Sequence, residues 1–189
     1  AGDGGQLLFT TNSSTPLATD IAAIQTNIAN TTLSQTNKVA FGCRIKTSSA
    51  TNAAFNVGLI QKTTTPFTVT DGIYFGKASG SAVITVYVVS GSSVQASASL
   101  SGIVTLADAT FIDLAWTLNG RGDLMIFAGS SLYGQKENQN TATLGPVARI
   151  DVSGLTLTTA VLNPTLALKS GTTTSKTLTS DFFYSMKER

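Results

Sequence analysis

The chain has 189 residues, with 12 Lys or Arg, 10 Asp or Glu and no His, for a formal net charge of +2. Charged residues make up 12% of it, against about 25% in an ordinary soluble domain, while 30 Thr and 20 Ser supply about a quarter of the chain. One Cys and no His exclude an intrachain disulfide, a Ser-His-Asp triad, a histidine general base, and a His-containing or all-cysteine metal site.

The length suits one domain, or one domain with an arm. Residues 1–15 set Leu7-Leu8-Phe9 among Gly, Asn, Ser and Thr, the pattern of an arm or a first edge strand. Thr15-Pro16 has the form of an N-cap followed by proline at the first helical position, and Leu17, Ile21, Ile24 and Ile28 follow at helical spacing. The spacing predicts one short amphipathic helix over 16–29, lying over the body of the domain or pairing with another subunit.

From Val39 the period changes to two. Val39, Phe41, Cys43 and Ile45 share one face, and Phe55, Val57 and Leu59 repeat the pattern. Gly72-Ile73-Tyr74-Phe75-Gly76 reads as a short strand, and the mostly apolar run Ala82 to Val89 as a strand covered on both sides. Val94, Ala96, Ala98 and Leu100 alternate with Gln and Ser; Ile112, Leu114, Trp116 and Leu118 alternate next, and Leu124 to Phe127 follows a turn. Residues 130–163 read as a loop excursion with one or two short strands. Leu166 and Leu168 mark a further strand, and Leu178, Phe182, Tyr184 and Met186 line one face of a last, long one. About ten strands with frequent turn signals and little helix predict an antiparallel sandwich or barrel.

Several partners are disfavoured. Lys and Arg form no basic stripe or run, so nucleic acid is not expected. No apolar stretch is long enough for a transmembrane helix, and no charged segment followed by an apolar one opens the chain, so neither a span nor a signal peptide is expected. Low charge and abundant β-branched Thr suit a pleated surface covered by neighbouring subunits.

Asn119-Gly120-Arg121-Gly122-Asp123 contains an integrin-like Arg-Gly-Asp, but Asn-Gly is first a hairpin signal, because both central residues of the turn need positive φ. Asn119, Arg121 and Asp123 at this tip, with Tyr133 in the Gly/Asn-rich loop, are the candidate binding residues. Trp116 and Cys43 read as core, and Asp113 and Asp181 as solvated or paired with Arg or Lys.

Phe41 to Lys46, Phe55-Asn56-Val57-Gly58-Leu59, Asp71 to Phe75, Phe111 to Trp116, Asn119-Gly120 and the closing Lys176 to Phe183 follow one another in an order that resembles the concanavalin A-like lectin/glucanase (laminin-G-like) jelly roll. The likeness is to the versions found in tailed-bacteriophage virion proteins, and it covers residues 38–189. The fold expected is all-β: an antiparallel jelly-roll β-sandwich over 38–189, with an N-terminal arm carrying the short helix over 1–37. Glucanases of this fold use a Glu-x-Asp-x-x-Glu strand, since retaining hydrolysis needs two carboxylates about 5 Å apart. This chain has only Glu137 and Glu188, outside any such motif, so an enzyme is not expected. The calcium and manganese ligands of legume-type lectins have no visible counterpart beyond the scattered Asp71, Asp108 and Asn119, and no cofactor or metal is expected. The resemblance implies a non-enzymatic virion protein, a capsid decoration or cement protein acting as a homo-oligomer on capsid protein at the surface of a phage particle. The alternative it implies is a tail or fibre adhesin module binding host-surface glycan.

Overall fold

A computed structural model of the chain describes residues 5–12, 17–26, 31–129 and 145–188. Twelve strands run in chain order: β1 (Leu7–Thr10), β2 (Ile21–Gln25), β3 (Lys38–Thr47), β4 (Ala53–Gln61), β5 (Gly72–Lys77), β6 (Thr85–Ser90), β7 (Ser93–Ser99), β8 (Ile112–Asn119), β9 (Asp123–Gly129), β10 (Ala148–Asp151), β11 (Leu162–Ser170) and β12 (Thr177–Lys187). They form two six-stranded antiparallel sheets, β1-β12-β3-β8-β9-β10 and β2-β11-β4-β5-β6-β7. The period-two pattern places one face of most strands in a shared core, while β2 adds no residue to it. Val39, Phe41, Cys43 and Ile45 of β3 lie there beside Ile112, Leu114, Trp116 and Leu118 of β8 and Phe55, Val57 and Leu59 of β4. Trp116 is fully buried, its ring 6.2 Å from that of Phe41. Cys43 is buried as well, and burial, then the Asp113 carboxylate, pushes its thiol far above the usual range, which leaves it unreactive.

The helix expected over 16–29 does not form. Among the described residues no helix is present, and Ile21–Gln25 is instead β2, hydrogen-bonded along β11 from Ile21↔Lys169 to Gln25↔Thr165. The Leu17, Ile21 and Ile24 stripe is exposed and buries no helical face. What wins is ladder pairing: the outer edge of β11 offers a row of backbone groups, and tertiary pairing overrides a weak helical pattern. Thr15 and Pro16, the expected start of that helix, lie outside the described residues. The N-terminal segment thus supplies an edge strand to each sheet, β1 to one and β2 to the other.

Alternation on β12 is interrupted between Ser180 and Phe182, where the register to β3 shifts. The extra residue, Asp181, reverses the faces. Leu178 therefore points into the core, while Phe182, Tyr184 and Met186 pair with Arg44, Gly42 and Ala40 on the outward side.

Candidate functional site

The outer face of the β2–β7 sheet carries a groove lined by polar and aromatic side chains. Four neighbouring strands each place one outward side chain: Lys169 on β11, Asn56 on β4, Tyr74 on β5 and Tyr87 on β6. Tyr74 and Tyr87 are direct cross-strand partners, and their rings stack with centroids 5.3 Å apart at 28°. Both lean over Gly76: a Cβ there would sit 2.9 Å from Tyr87 Cε2, 3.1 Å from Tyr74 Cε2 and 3.1 Å from Asn56 Oδ1. The glycine is what lets the two rings and the amide converge.

The loop from 62 to 71 folds over this face and makes the far wall. Asn56 Nδ2 donates to Pro66 O at 2.9 Å, and Gln25 Oε1 accepts from Thr63 N at 3.0 Å while Gln25 Nε2 donates to Thr165 Oγ1 at 3.0 Å. The loop explains why the outward-facing Asn56 and Ile60 are buried. It also presents Phe67, whose ring lies 6.0 Å from Lys169 Nζ. The result is an open groove of about 500 Å³, bounded further by Ser79, Ser170 and Gly171. Neither tyrosine hydroxyl has a hydrogen-bond partner among the described residues, so both are available to a ligand. Burial, then the neighbouring Tyr87, pushes the Tyr74 phenol up to about 12, so it remains a donor at any physiological pH.

Lys77 borders the groove, but its ammonium donates to Thr51 O at 3.0 Å and to Ala53 O. Burial pushes it down to about 8, against the opposing pull of the Asp108 carboxylate. The sign for stability follows. Between pH 8 and its ordinary 10.5, the unfolded chain keeps a proton that the folded chain has lost, so stability rises with pH. Tyr74 acts in the other direction above its ordinary value of 10, where the unfolded chain loses a proton that the folded one keeps. Cys43 acts like Tyr74 above its ordinary value of 9.0, so thermal unfolding should show stability climbing by about 1 kcal/mol from pH 8 to 9, levelling to pH 10 and falling beyond. Lys77→Met should flatten the climb; a slope unchanged in that variant would show that this lysine is not its source.

The described residues among those singled out in the sequence lie elsewhere. Asn119 and Asp123 close the β8–β9 turn, where Asn119 Oδ1 accepts from Arg121 N at 2.8 Å and Asp123 N at 3.1 Å, and Asn119 Nδ2 donates to Asp123 Oδ2 at 2.9 Å. Gly120 and Gly122 have φ of 71° and 85°, which this turn requires. Arg149 of β10 donates through Nε to Asp123 Oδ1 at 2.8 Å. The Asn119 amide and Arg149 hold the Asp123 carboxyl below the usual range. The carboxylate of the Arg-Gly-Asp is thus engaged inside the molecule, while Arg121 is exposed. Tyr133 and Glu137 lie outside the described residues. Asp71 accepts from Gly91 N at 3.0 Å and Asp108 from Ala50 N, each at its own turn, so Asp71, Asp108 and Asn119 do not converge. No cluster of three metal-ligating side chains exists among the described residues.

On the other sheet, Arg44 Nε lies 3.7 Å from Asp113 Oδ1 and 3.9 Å from Asp181 Oδ2, with its guanidinium 5.2 Å from the centre of the Phe111 ring. The outward Phe182 and Tyr184 rings stack at 6.4 Å, and a shallow apolar hollow runs from Ala40 to Met125 and Met186. This face has aromatic area as well, with Arg44 paired to Asp113 and Asp181 and Lys46 lying 4.6 Å from the Phe111 ring centre.

No family model matches the chain, and no curated protein matches it. Solved structures do match in fold. A prokaryotic beta-1,3-1,4-glucanase (lichenase) from a mouse hindgut metagenome aligns with a TM-score of 0.60 at 11% identity, over 94% of this chain and 78% of that one. The Emp47p carbohydrate recognition domain aligns at 0.59 and 6% identity, over 100% and 90%. The binding domain of botulinum neurotoxin DC, solved in complex with rat synaptotagmin II, aligns at 0.56 and 11% identity over 96% of this chain but only 39% of the toxin domain, so the chain spans about two fifths of that neighbour. At such identities the likeness is one of fold: an antiparallel jelly-roll β-sandwich.

Proposed function

We propose that the protein is a glycan-binding module and that its site is the groove over Gly76. The observation that carries this is the Tyr74–Tyr87 pair, stacked over a glycine floor with two free hydroxyls and flanked by Phe67 and Asn56. A pyranose ring has an apolar C–H face and a hydroxyl rim, and this groove offers aromatic surface for the first and hydrogen-bonding groups for the second. Four strands at about 4.8 Å spacing make it about 14 Å across the strands, and the four-residue stagger between Lys169 and Tyr74 extends it diagonally along them, enough for a short oligosaccharide. Fold neighbours that include a carbohydrate recognition domain and a glucanase support the same reading.

The activity is binding rather than turnover. No carboxylate lines the groove among the described residues, and Glu188 is exposed and ion-paired with Lys38 at 3.1 Å. Titration of the whole chain against a panel of soluble polysaccharides should detect binding in the micromolar-to-millimolar range without release of reducing ends. A panel with no binder would refute the proposal.

A second reading, the virion decoration or cement protein that assembles on capsid protein as a homo-oligomer, is favoured by one observation. Both edge strands supplied by the N-terminal segment are uncharged and expose Leu7, Leu8, Ile21 and Ile24 beside unpaired backbone edges, without the charged or proline residues that usually protect such edges. Sedimentation showing a monomer, together with no binding to isolated capsids, would eliminate it.

A further inference from the structure

Lys169 is the unspent charge of the groove. Two described basic side chains line the groove, and of these Lys77 is engaged by two backbone carbonyls. Lys169 makes no ion pair among the described residues; its one recorded contact is the Phe67 ring, 6.0 Å away. It is half-buried at one end of a diagonal that steps two residues along the strands from the Ala54 level to Asn56 and two more to Tyr74 and Tyr87, and no acidic side chain lines the groove among the described residues. A partly desolvated ammonium without a counter-ion costs free energy that an incoming anion offsets, and electrostatic complementarity then selects the partner.

We propose that the ligand is a carboxylated glycan, whose pyranose face rests on Tyr74 and Tyr87 while its carboxylate pairs with Lys169. This rests on the glycan reading of the groove and names the sugar class it accepts. The carboxylate of a uronic or sialic acid projects from the rim of the ring. A ring lying against the tyrosines therefore sends its acid along the sheet toward β11, where the lysine stem reaches it.

The test is calorimetric titration of the whole chain at low salt with polygalacturonate, alginate, hyaluronan and a sialylated oligosaccharide. A carboxyl-reduced polymer and heparin are the neutral and sulfated arms. At least one carboxylated probe should bind, and Lys169→Gln should weaken it about tenfold, as expected for loss of one charge-assisted contact. Lys169→Arg should retain most of the binding, and Lys176→Gln, a charge-matched change outside the groove, should alter nothing. The carboxyl-reduced polymer should bind about as weakly as the acidic one does to Lys169→Gln. Equal binding of acidic and carboxyl-reduced polymers, tighter binding of heparin, or indifference to Lys169→Gln would overturn the carboxylate while leaving a glycan site in place. Failure of every polymer, neutral ones included, would overturn both.

Discussion

Replacing Tyr74 and Tyr87 together with Ala is expected to abolish glycan binding, and each single replacement to weaken it about 5- to 30-fold. An aromatic face contributes on the order of 1–2 kcal/mol to a stacked partner beyond simple area burial, and each 1.4 kcal/mol is tenfold in affinity. The two rings are direct cross-strand neighbours 5.3 Å apart, so losing one also frees the other to rotate out of place. Gly76→Leu should have nearly the effect of the double variant, since even a Cβ at that position comes within 3.1 Å of both rings and of the Asn56 amide oxygen. Tyr184→Ala, on the outward face of the opposite sheet, is the control and should leave affinity unchanged. If Tyr184→Ala loses binding and the Tyr74/Tyr87 variant keeps it, the site lies on the wrong sheet and the groove is not the binding surface.

Much of the sandwich was legible in the sequence because the core strands alternate cleanly. Phe41, Cys43 and Ile45, or Leu114 and Trp116, can be assigned to one face by parity alone, and Asn-Gly at 119–120 marks its hairpin. The N-terminal segment was misread because Leu17, Ile21 and Ile24 fit a 3.6 period by accident. What decides their conformation is a strand edge about 140 residues away in the chain, at Thr165 to Lys169. The outward turn of Phe182 and Tyr184 was hidden by a single bulge residue, which no parity count detects. The groove was the least visible part. Its signal was present, since Tyr74 sits between the core residues Ile73 and Phe75, and Tyr87 between Val86 and Val88, so parity alone sends both tyrosines outward. That they meet over Gly76, with Lys169 at the far end of a diagonal from them, depends on the register of four strands, and register belongs to the folded sheet.

The same register makes Gly58→Ala a severely damaging small substitution in this sheet. Gly58 lies opposite Tyr74 in the β4–β5 ladder, and a Cβ there would meet Ile73 O and Tyr74 Cα at 2.5 Å. Those are backbone atoms of the neighbouring strand, so no side-chain rotation relieves the clash; the ladder from Phe55↔Lys77 to Ile60↔Gly72 has to part or slide. The expected cost is about 3 kcal/mol, a fall of about 6–12 °C in Tm for a chain of this size. Gly91→Ala is the comparison: its φ of 58° strains an L-residue, but its surroundings are open, so the cost should stay near 1 kcal/mol. Displacing β5 also moves Tyr74, so Gly58→Ala should lose stability and glycan affinity together, whereas Gly76→Ala should lose mainly affinity because its added methyl meets side chains. A Gly58→Ala protein with unchanged Tm would show that β4 and β5 are not packed this closely, and the convergence of the two tyrosines would then need another cause.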